Sequence, residues 1–204
     1  MFITFEGPEG CGKTSQIVQL AETLSQAGYD VLSTREPGGT QIGDRIREVL
    51  LDLHNTDMHN RTEILLFQAS RAQLVEQVIR PHLAKGGIVL CDRYADSTIA
   101  YQGYGYKTDL ELLRGIVNFA TGRLVPDLTV LLDLRVEIGL QRRAGGGSWN
   151  RLDALELAFY ERVRQGYQQL ARIEPQRWVI INAEQPPEHV QMNIREVVLQ
   201  RLAN

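Results

Sequence analysis

The sequence has few cysteines, no long apolar segment and no excess of positive charge. Cys11 and Cys91 are the two cysteines among 204 residues, and they form neither a disulfide framework nor a metal-binding spacing. No run of about 18 apolar residues is present, so we expect no transmembrane span. The net charge of -3 argues against a protein held on DNA or RNA by bulk charge. These absences favour a globular protein without membrane or nucleic-acid partners.

The N-terminus also lacks the basic segment and the cleavage site of a signal peptide. Residues 2–6, FITFE, instead predict a first strand, and we expect a cytoplasmic protein. Two interpretations of the cysteines stay open. Cys11, at the predicted start of a helix, could be a reactive thiol, whereas Cys91 is more simply an incidental small side chain.

Apolar strand-like segments alternate with amphipathic helical patterns along the chain. Strands are predicted over residues 2–6, 30–35, 87–92, 127–134 and 177–182, and helices over 14–27, 60–80, 108–122, 153–173 and 187–202. Capping-box patterns at 60–63 and 108–111 open two of these helices, and Pro81 is expected to kink or end the first. The alternation predicts an α/β fold of three layers, with a central five-stranded parallel sheet flanked by helices.

No linker, repeat or change of composition divides the chain, so residues 1–204 are expected to form one domain. One low-complexity segment stands out at 144–149, where glycines lie between Arg142, Arg143 and Arg151. This composition predicts a mobile, charged lid over residues 141–152. The three arginines are candidates for stabilising a transferred phosphate, although exposed arginine is also an ordinary surface residue.

A phosphate-binding loop follows the first predicted strand. Residues 7–14, GPEGCGKT, match G-x-x-x-x-G-K-[ST] between a strand and a helix, which identifies a P-loop NTPase fold. Backbone N–H groups in such a loop point at phosphate oxygens, and the helix N-terminus adds positive charge. Lys13 would bridge the outer phosphates, and the Thr14 hydroxyl would bind Mg²⁺. The predicted ATP-binding residues are Gly7, Pro8, Glu9, Gly10, Cys11, Gly12, Lys13 and Thr14.

The loop alone does not separate a kinase from an ATPase or a GTPase. No N-K-x-D motif for guanine is present, which argues against a GTPase. No repeat or second basic domain is present, which argues against a helicase or a transporter motor. A short chain with a Gly/Arg lid favours a compact kinase.

Two further pairs of residues are candidates for the acceptor site. Asp92 ends a predicted strand, where it could hold Mg²⁺ directly or through water, and Arg93 would face an anionic acceptor. Phe67 and Arg71 are four apart and share one helix face, so they could stack on a base and bind its edge. The alternative is that Phe67 belongs to the core and Arg71 is a solvated flank.

Together these segments resemble the thymidylate kinases of bacteria over nearly the whole chain. The matching segments are FEGPEGCGKT, TREPGGT, LLFQASRAQ, DRYADSTIAYQG and PDLTVLLDL, in this order. The resemblance implies that Glu9 lies near the acceptor sugar, that Pro37 follows a cis bond and that Asp92 belongs to the Mg²⁺ network. It implies that Arg47 and Arg93 hold the monophosphate. The residues implied around the nucleoside are Phe67 on thymine, Arg71 at its O4, Thr98 and Gln102 near the base, and Tyr101 against the sugar.

The lid departs from the family pattern, because its tip is glycine and Asn150 stands where many relatives have Asp. Family members with an acidic residue at the position of Glu9 usually take a catalytic arginine from the lid. Lys13, Arg93, Arg142, Arg143 and Arg151 are therefore the candidate catalytic residues.

The implied reaction is phosphorylation of thymidine 5′-monophosphate by ATP with Mg²⁺, in the synthesis of dTTP, by a homodimer. The alternatives are another nucleotide or nucleoside kinase of the same fold and a non-catalytic nucleotide switch.

Overall fold

A computed structural model describes residues 1–145 and 156–203 of the chain. Its centre is a parallel sheet with the strand order β2-β3-β1-β4-β5, so the predicted fold class is confirmed. The strands are β1 Phe2–Glu6, β2 Val31–Arg35, β3 Ile88–Asp92, β4 Leu128–Asp133 and β5 Trp178–Asn182. Each lies within one residue of its predicted bounds.

Helices cover both faces of the sheet. They are α1 Lys13–Gln26, α2 Gln41–Leu51, α3 Asn60–Leu74, α4 Arg80–Ala84, α5 Ala95–Thr98, α6 Leu110–Thr121, α7 Val136–Ala144, α8 Leu157–Ile173 and α9 Pro187–Leu202. Side chains alternate across each strand, so that Ile3 packs with α1 and α9 while Phe2 packs with α3. The residues of α6 and α8 form a further cluster with Leu131 and Trp178. These apolar layers give the predicted three-layer arrangement.

The strand order places a ligand crevice at one edge of the sheet. From β1 the chain crosses to β2, whereas from β3 it crosses to β4 on the other side of β1. Open α/β sheets bind ligands where connections diverge in this way, at the carboxyl ends of the strands. Phe5 and Asp92 are partners in the register of β1 and β3, so Glu6 and Arg93 follow side by side at this edge of the sheet.

The structure corrects the predicted course of the helix after residue 60. The side chain of His59, not of Asn60, caps it, because His59 Nδ1 accepts a hydrogen bond from the N–H of Arg61 at 3.2 Å. Pro81 does not end the helix. A π-helical turn, Val75–Ile79, leads into α4, and Pro81 lies in the first turn of α4, where a missing N–H is tolerated.

Other boundaries follow the capping patterns closely. Asp109, not Thr108, caps α6 by accepting from the N–H of Leu112 at 2.7 Å, and Gly122 ends this helix with a positive φ of 53°. The sequence analysis missed α2, α5 with the π-helical turn Ile99–Gly105 that follows it, and α7. Of the predicted lid, residues 146–152 lie outside the described part of the chain. No helix among the described residues is long and apolar enough to cross a membrane.

Candidate active site

The predicted phosphate loop forms the turn between β1 and α1. Gly10 and Gly12 adopt positive φ angles of 70° and 93°, which favour glycine. A Cβ on Gly10 would also clash with the carbonyl oxygen of Gly139. Helix α7, which the sequence analysis missed, therefore packs directly against the loop and brings Arg142 and Arg143 to the site.

Lys13 and Thr14 open α1 with their side chains on the loop side. Lys13 is buried, and its Nζ lies 3.3 Å from the carbonyl oxygen of Gly7 and 3.1 Å from that of Pro8. An ammonium group held against loop carbonyls is already aimed at the space that the loop encloses. Cys11 Sγ lies 3.4 Å from the same nitrogen, and the residue is buried, which limits the access of a reagent to this thiol.

The Thr14 hydroxyl donates to Asp92 Oδ2 at 2.8 Å. Hydroxyl and carboxylate oxygens are the hard ligands that Mg²⁺ prefers, and Mg²⁺ usually takes one or two protein ligands beside phosphate and water oxygens. Within the described residues no group of three or more His, Cys, Asp or Glu side chains is arranged to hold a metal ion. The donor set of Thr14 and Asp92 therefore fits a metal that arrives with a phosphate ligand.

Arg93 links the phosphate loop to the acceptor side of the crevice. Its NH2 donates to Glu9 Oε1 at 2.7 Å and to the Tyr101 hydroxyl at 3.0 Å. Its NH1 donates to the Gly7 carbonyl oxygen at 3.1 Å, to Ser97 Oγ and to the Tyr167 hydroxyl. The guanidinium is thus fixed between the loop and α8. Burial raises the pKa of Glu9, but Arg93 and Lys13 outweigh it and hold that pKa at about 2.

A buried carboxylate lies beneath Arg93 and was missed by the sequence analysis. Glu6 accepts hydrogen bonds from the N–H of Tyr94 at 2.8 Å, from Ser97 Oγ at 2.5 Å and from the Tyr167 hydroxyl at 2.9 Å. Two of these donors, Ser97 and Tyr167, also accept from Arg93, so Glu6 orients the guanidinium through them. Glu6 ends a buried strand whose other residues carry no charge, and this was the available signal, because a buried charged residue is usually paired.

Arg71 is not a solvated flank, since its side chain is 2% exposed. Each of its five N–H bonds meets a protein acceptor. NH2 and Nε donate to Glu36 Oε2 at 2.6 and 2.8 Å, NH1 donates to Gln68 Oε1 and Thr98 Oγ1 at 2.7 and 2.9 Å, and NH2 also donates to the Tyr94 carbonyl oxygen. Burial lowers the pKa of this guanidinium, but the charge of Glu36 outweighs it and raises the pKa.

Phe67 is not a core residue either, because it is partly exposed and lines the cleft. Thr98 and Gln102 are both buried and lie beside it on the cleft wall. Arg47 NH1 donates to the Pro37 carbonyl oxygen at 2.9 Å, and the Glu36–Pro37 bond is cis, as the resemblance implied. The sequence analysis missed Glu36, Gln68 and Glu63. Glu36 and Gln68 accept hydrogen bonds from Arg71, and Glu63 accepts one from Gln102.

The two lid arginines that the structure describes lie at the end of α7. Arg142 NH1 donates to the Ala183 carbonyl oxygen at 3.3 Å. The positive charge of Arg143 is among those that lower the pKa of Glu9, which puts Arg143 on the side of the phosphate loop. Arg151, the third candidate, lies outside the described residues.

One cleft of about 570 Å³ contains the donor loop and the acceptor residues together. The loop residues Gly7, Pro8 and Cys11 do not line it. The predicted site residues that do line it are Glu9, Gly10, Gly12, Lys13, Thr14, Pro37, Arg47, Phe67, Arg71, Asp92, Arg93, Thr98, Tyr101, Gln102, Arg142 and Arg143.

A phosphate loop on a parallel sheet, joined in one cleft to arginines and a carboxylate, defines a phosphotransferase of the P-loop class. The family model "Thymidylate kinase" matches residues 5–194. The chain belongs to the thymidylate kinase family.

Relatives and a solved structure agree with this assignment. The thymidylate kinase of Roseiflexus castenholzii is 51% identical over 217 residues, which cover 100% of this chain and 95% of that one. That of Thermomicrobium roseum is 55% identical over 190 residues, with 93% and 90% covered. The crystal structure of thymidylate kinase from Ehrlichia chaffeensis superposes with a TM-score of 0.80 at 34% identity and covers 97% of this chain and 98% of that one.

Proposed function

We propose that this protein transfers the γ-phosphoryl group of ATP to thymidine 5′-monophosphate and releases ADP and thymidine 5′-diphosphate. The carrying observation is that the phosphate loop and the Phe67–Arg71 wall open into one cleft, with Arg93 between them. A nucleotide switch without catalysis needs the loop but has no use for a second, aromatic and basic compartment. The acceptor compartment therefore favours a kinase.

The donor side is assigned from the loop. Backbone N–H groups of residues 9–14 would hold the β- and γ-phosphates, and Lys13 Nζ would leave the Gly7 and Pro8 carbonyl oxygens to bind them. Thr14 and Asp92 would hold Mg²⁺. When bound, Mg²⁺ would neutralise part of the phosphate charge.

The acceptor phosphate needs no general base. Its second pKa is about 6, so it is mostly dianionic at neutral pH. An acceptor oxygen forms a bond to the γ-phosphorus while the bond to the β–γ bridging oxygen breaks and its electron pair leaves with ADP. The main obstacle is repulsion between two polyanions, and Arg93 and Arg47 line the cleft where the acceptor phosphate would lie. Positioning and charge stabilisation then supply the catalysis.

The nucleoside is assigned to the wall formed by Phe67, Arg71 and Gln102. Phe67 would stack on the pyrimidine, and Tyr101, whose hydroxyl bonds Glu9 at 3.0 Å, would lie against the sugar. Arg71 has no unoccupied N–H, so the base oxygen O4 must compete for one. We assign to O4 the NH1 proton that Thr98 Oγ1 now accepts. Thr98 Oγ1 also accepts from Gln68 Nε2 at 3.1 Å, so it keeps a partner when O4 takes that proton.

We also propose a homodimer built on α2, α3 and α6. Helix α2 packs on α3, which packs on α6. Each carries exposed apolar side chains, and the pairs on α2 and α6 recur at a spacing of seven, on one helix face. These residues are Ile42, Val49, Leu65, Leu112 and Phe119. Apolar faces left on three adjoining helices are typical of a subunit interface.

An assay of ADP release with a panel of acceptors tests the function. We expect turnover with ATP and Mg²⁺ only when an acceptor is added, fastest with thymidine monophosphate. Lys13→Ala is the matched inactive control, with kcat lower by about 10²–10³ because one charge-stabilising donor is lost. ATP hydrolysis that ignores the acceptor would favour the switch, and preference for another monophosphate would favour a different kinase of this fold.

A further inference from the structure

We infer that Glu63 determines the choice of thymine over cytosine by fixing the orientation of the Gln102 amide. This inference rests on the proposed function, since it assigns a role within the same acceptor site. Glu63 lies in the first turn of α3 and Gln102 in the π-helical turn Ile99–Gly105. Their contact comes from tertiary structure, because 39 residues of chain separate them.

The contact between the two side chains is short and shielded from water. Gln102 Nε2 donates to Glu63 Oε1 at 2.8 Å. Gln102 is 3% exposed and Glu63 is 1% exposed. A hydrogen bond to a carboxylate in such surroundings is stronger than one in water.

The chemistry of the two groups allows one orientation of the amide. A carboxylate only accepts hydrogen bonds, whereas a glutamine amide has an accepting oxygen and a donating nitrogen. With the amide reversed, two oxygens would face each other at the 2.8 Å that now separates Nε2 from Oε1. The amide nitrogen is therefore held towards Glu63, and the amide oxygen is directed away from it.

The amide oxygen is then an acceptor offered to the cleft. Gln102 lines the cleft, and no residue of the described ranges donates a hydrogen bond to its Oε1. A ligand that places a donor there gains a hydrogen bond. A ligand that places an acceptor there faces a repulsive contact, and it leaves a buried group without a partner.

Pyrimidines differ at the atom that such an acceptor would meet. Thymine and uracil carry a donor, N3–H, whereas N3 of cytosine is an acceptor. Arg71 opposes the cytosine amino group in the same way, because guanidinium has donors only. Gln102 Oε1 and Arg71 therefore complement thymine at two positions, N3–H and O4. At the same two positions cytosine offers an acceptor to Gln102 Oε1 and a donor to Arg71, so both contacts are unfavourable.

Glu63→Gln changes this selection without changing the size of the side chain. A glutamine at position 63 can either accept from or donate to Gln102, so the amide of Gln102 becomes free to reverse. The reversed amide presents Nε2 to the base, which suits N3 of cytosine. The variant should turn over thymidine monophosphate more slowly and deoxycytidine monophosphate faster than the wild type.

The test measures kcat/KM for the monophosphates of thymidine, deoxyuridine and deoxycytidine. We expect Glu63→Gln to lower the ratio of thymidylate to deoxycytidylate by about 10- to 100-fold, since one of two reading contacts is lost. The ratio of thymidylate to deoxyuridylate should stay constant, because both bases carry N3–H. Glu6→Gln is the matched control. It alters a buried carboxylate behind Arg93, which meets the phosphate common to all three substrates, and should lower every rate without moving the ratios.

A double-mutant cycle shows whether Glu63 acts through Gln102. If it does, Gln102→Leu and the double variant with Glu63→Gln should have equal thymidylate-to-deoxycytidylate ratios. An unchanged ratio in Glu63→Gln, or additive effects in the cycle, overturns the inference. Should Glu63→Gln fail to fold, Glu63→Asp, which keeps the carboxylate but shortens its reach, takes its place in the cycle. A wild-type protein inactive on thymidylate would instead contradict the proposed function.

Discussion

At the scale of single residues, the acceptor site depends on buried carboxylates that fix the positions of its arginines. Glu36 fixes Arg71, and Glu6 fixes Arg93 through Ser97 and Tyr167. A guanidinium held in this way loses little conformational freedom when the substrate binds, because its geometry is set beforehand. The same arrangement buries charged groups, and each of them destabilises the fold if its partner is removed.

Arg71→Ala is expected to affect both specificity and stability. It removes the donor proposed for thymine O4, so kcat/KM for thymidylate should fall and the gap to deoxycytidylate should narrow. It also leaves Glu36 buried without its partner, which should lower the free energy of unfolding by about 3–5 kcal/mol. Steady-state kinetics and denaturant unfolding measure the two effects.

A second variant separates those two effects. Adding Glu36→Gln to Arg71→Ala removes the unpaired charge, so a large part of the lost stability should return while thymidylate turnover stays low. Recovery of turnover together with stability would mean that Arg71 acts only on the fold. Selectivity equal to wild type in the single variant would assign the base to other residues.

Glu6 makes stability depend on pH in an unusual direction. Burial raises its pKa from 4.5 to about 7, and Asp96 adds to this rise, against Ser97, Arg93 and Tyr167, which lower it. Between these pH values the folded protein therefore binds a proton that the unfolded chain has released. This group's contribution is present below pH 4.5 and is lost as pH rises through 7, by about 1.4 kcal/mol per pH unit at most.

Denaturant unfolding of the wild type and of Glu6→Gln at pH 5 and pH 8 measures this contribution. All other titrating groups are common to both proteins, so their effects largely cancel in the difference between the two free energies of unfolding. We expect that difference to shift in favour of the variant by roughly 1–3 kcal/mol at pH 8, since glutamine carries no proton to lose. A difference that does not change with pH would show that Glu6 keeps an ordinary pKa.

At the scale of elements, α7 and the phosphate loop act as one unit. The contact between Gly10 and Gly139 leaves no room for a side chain, so α7 cannot shift without moving the loop. The helix carries Arg142 and Arg143, which belong to the first residues of the predicted lid, to the lining of the cleft. Arg142 and Arg143 look alike in the sequence, but they differ in their surroundings.

Arg143→Ala is expected to lower kcat more than Arg142→Ala does. The positive charge of Arg143 lowers the pKa of Glu9 beside the phosphate loop, whereas Arg142 donates a hydrogen bond to the Ala183 carbonyl oxygen. An arginine that stabilises transferring charge should change kcat while leaving the KM for thymidylate nearly unaltered. Arg151→Ala, measured beside them, tests the third candidate. Equal kcat in all three variants and the wild type would assign the catalytic cation elsewhere.

At the scale of the whole molecule, one side of the fold carries unusually exposed apolar residues. Phe119 is 89% exposed and Leu65 is 59% exposed. They belong to α6 and α3, which adjoin each other, and α3 supplies Phe67 and Arg71 to the cleft. Pairing of two subunits here would rigidify α3, which carries Phe67 and Arg71, so the assembly and the site would be coupled.

Leu65→Glu is expected to convert the dimer into a monomer, because a charge would be buried in an apolar interface. Sedimentation at micromolar concentration measures the change. Val18→Glu is the matched control, since Val18 is a similarly exposed apolar residue on α1, away from this surface. A wild-type monomer, or a Leu65→Glu protein that still sediments as a dimer, would contradict the proposed interface.

The sequence by itself determined the local features of this protein. The positions of the strands follow from short apolar runs, and the phosphate loop follows from the spacing of residues 7–14. The ends of α1 and α6 follow from Gly28 and Gly122, the glycines at which the backbone turns left-handed just after each helix. All of these depend on interactions within a few residues, which a linear pattern records.

Only the tertiary structure decided which groups support one another. Glu6 meets Tyr167 across 161 residues of chain, Arg71 meets Glu36 across 35, and Gln102 meets Glu63 across 39. Each pair is buried where strands and helices from distant segments pack together. Hydrogen bonding and desolvation there depend on distance in space, and no periodicity along the chain encodes that distance.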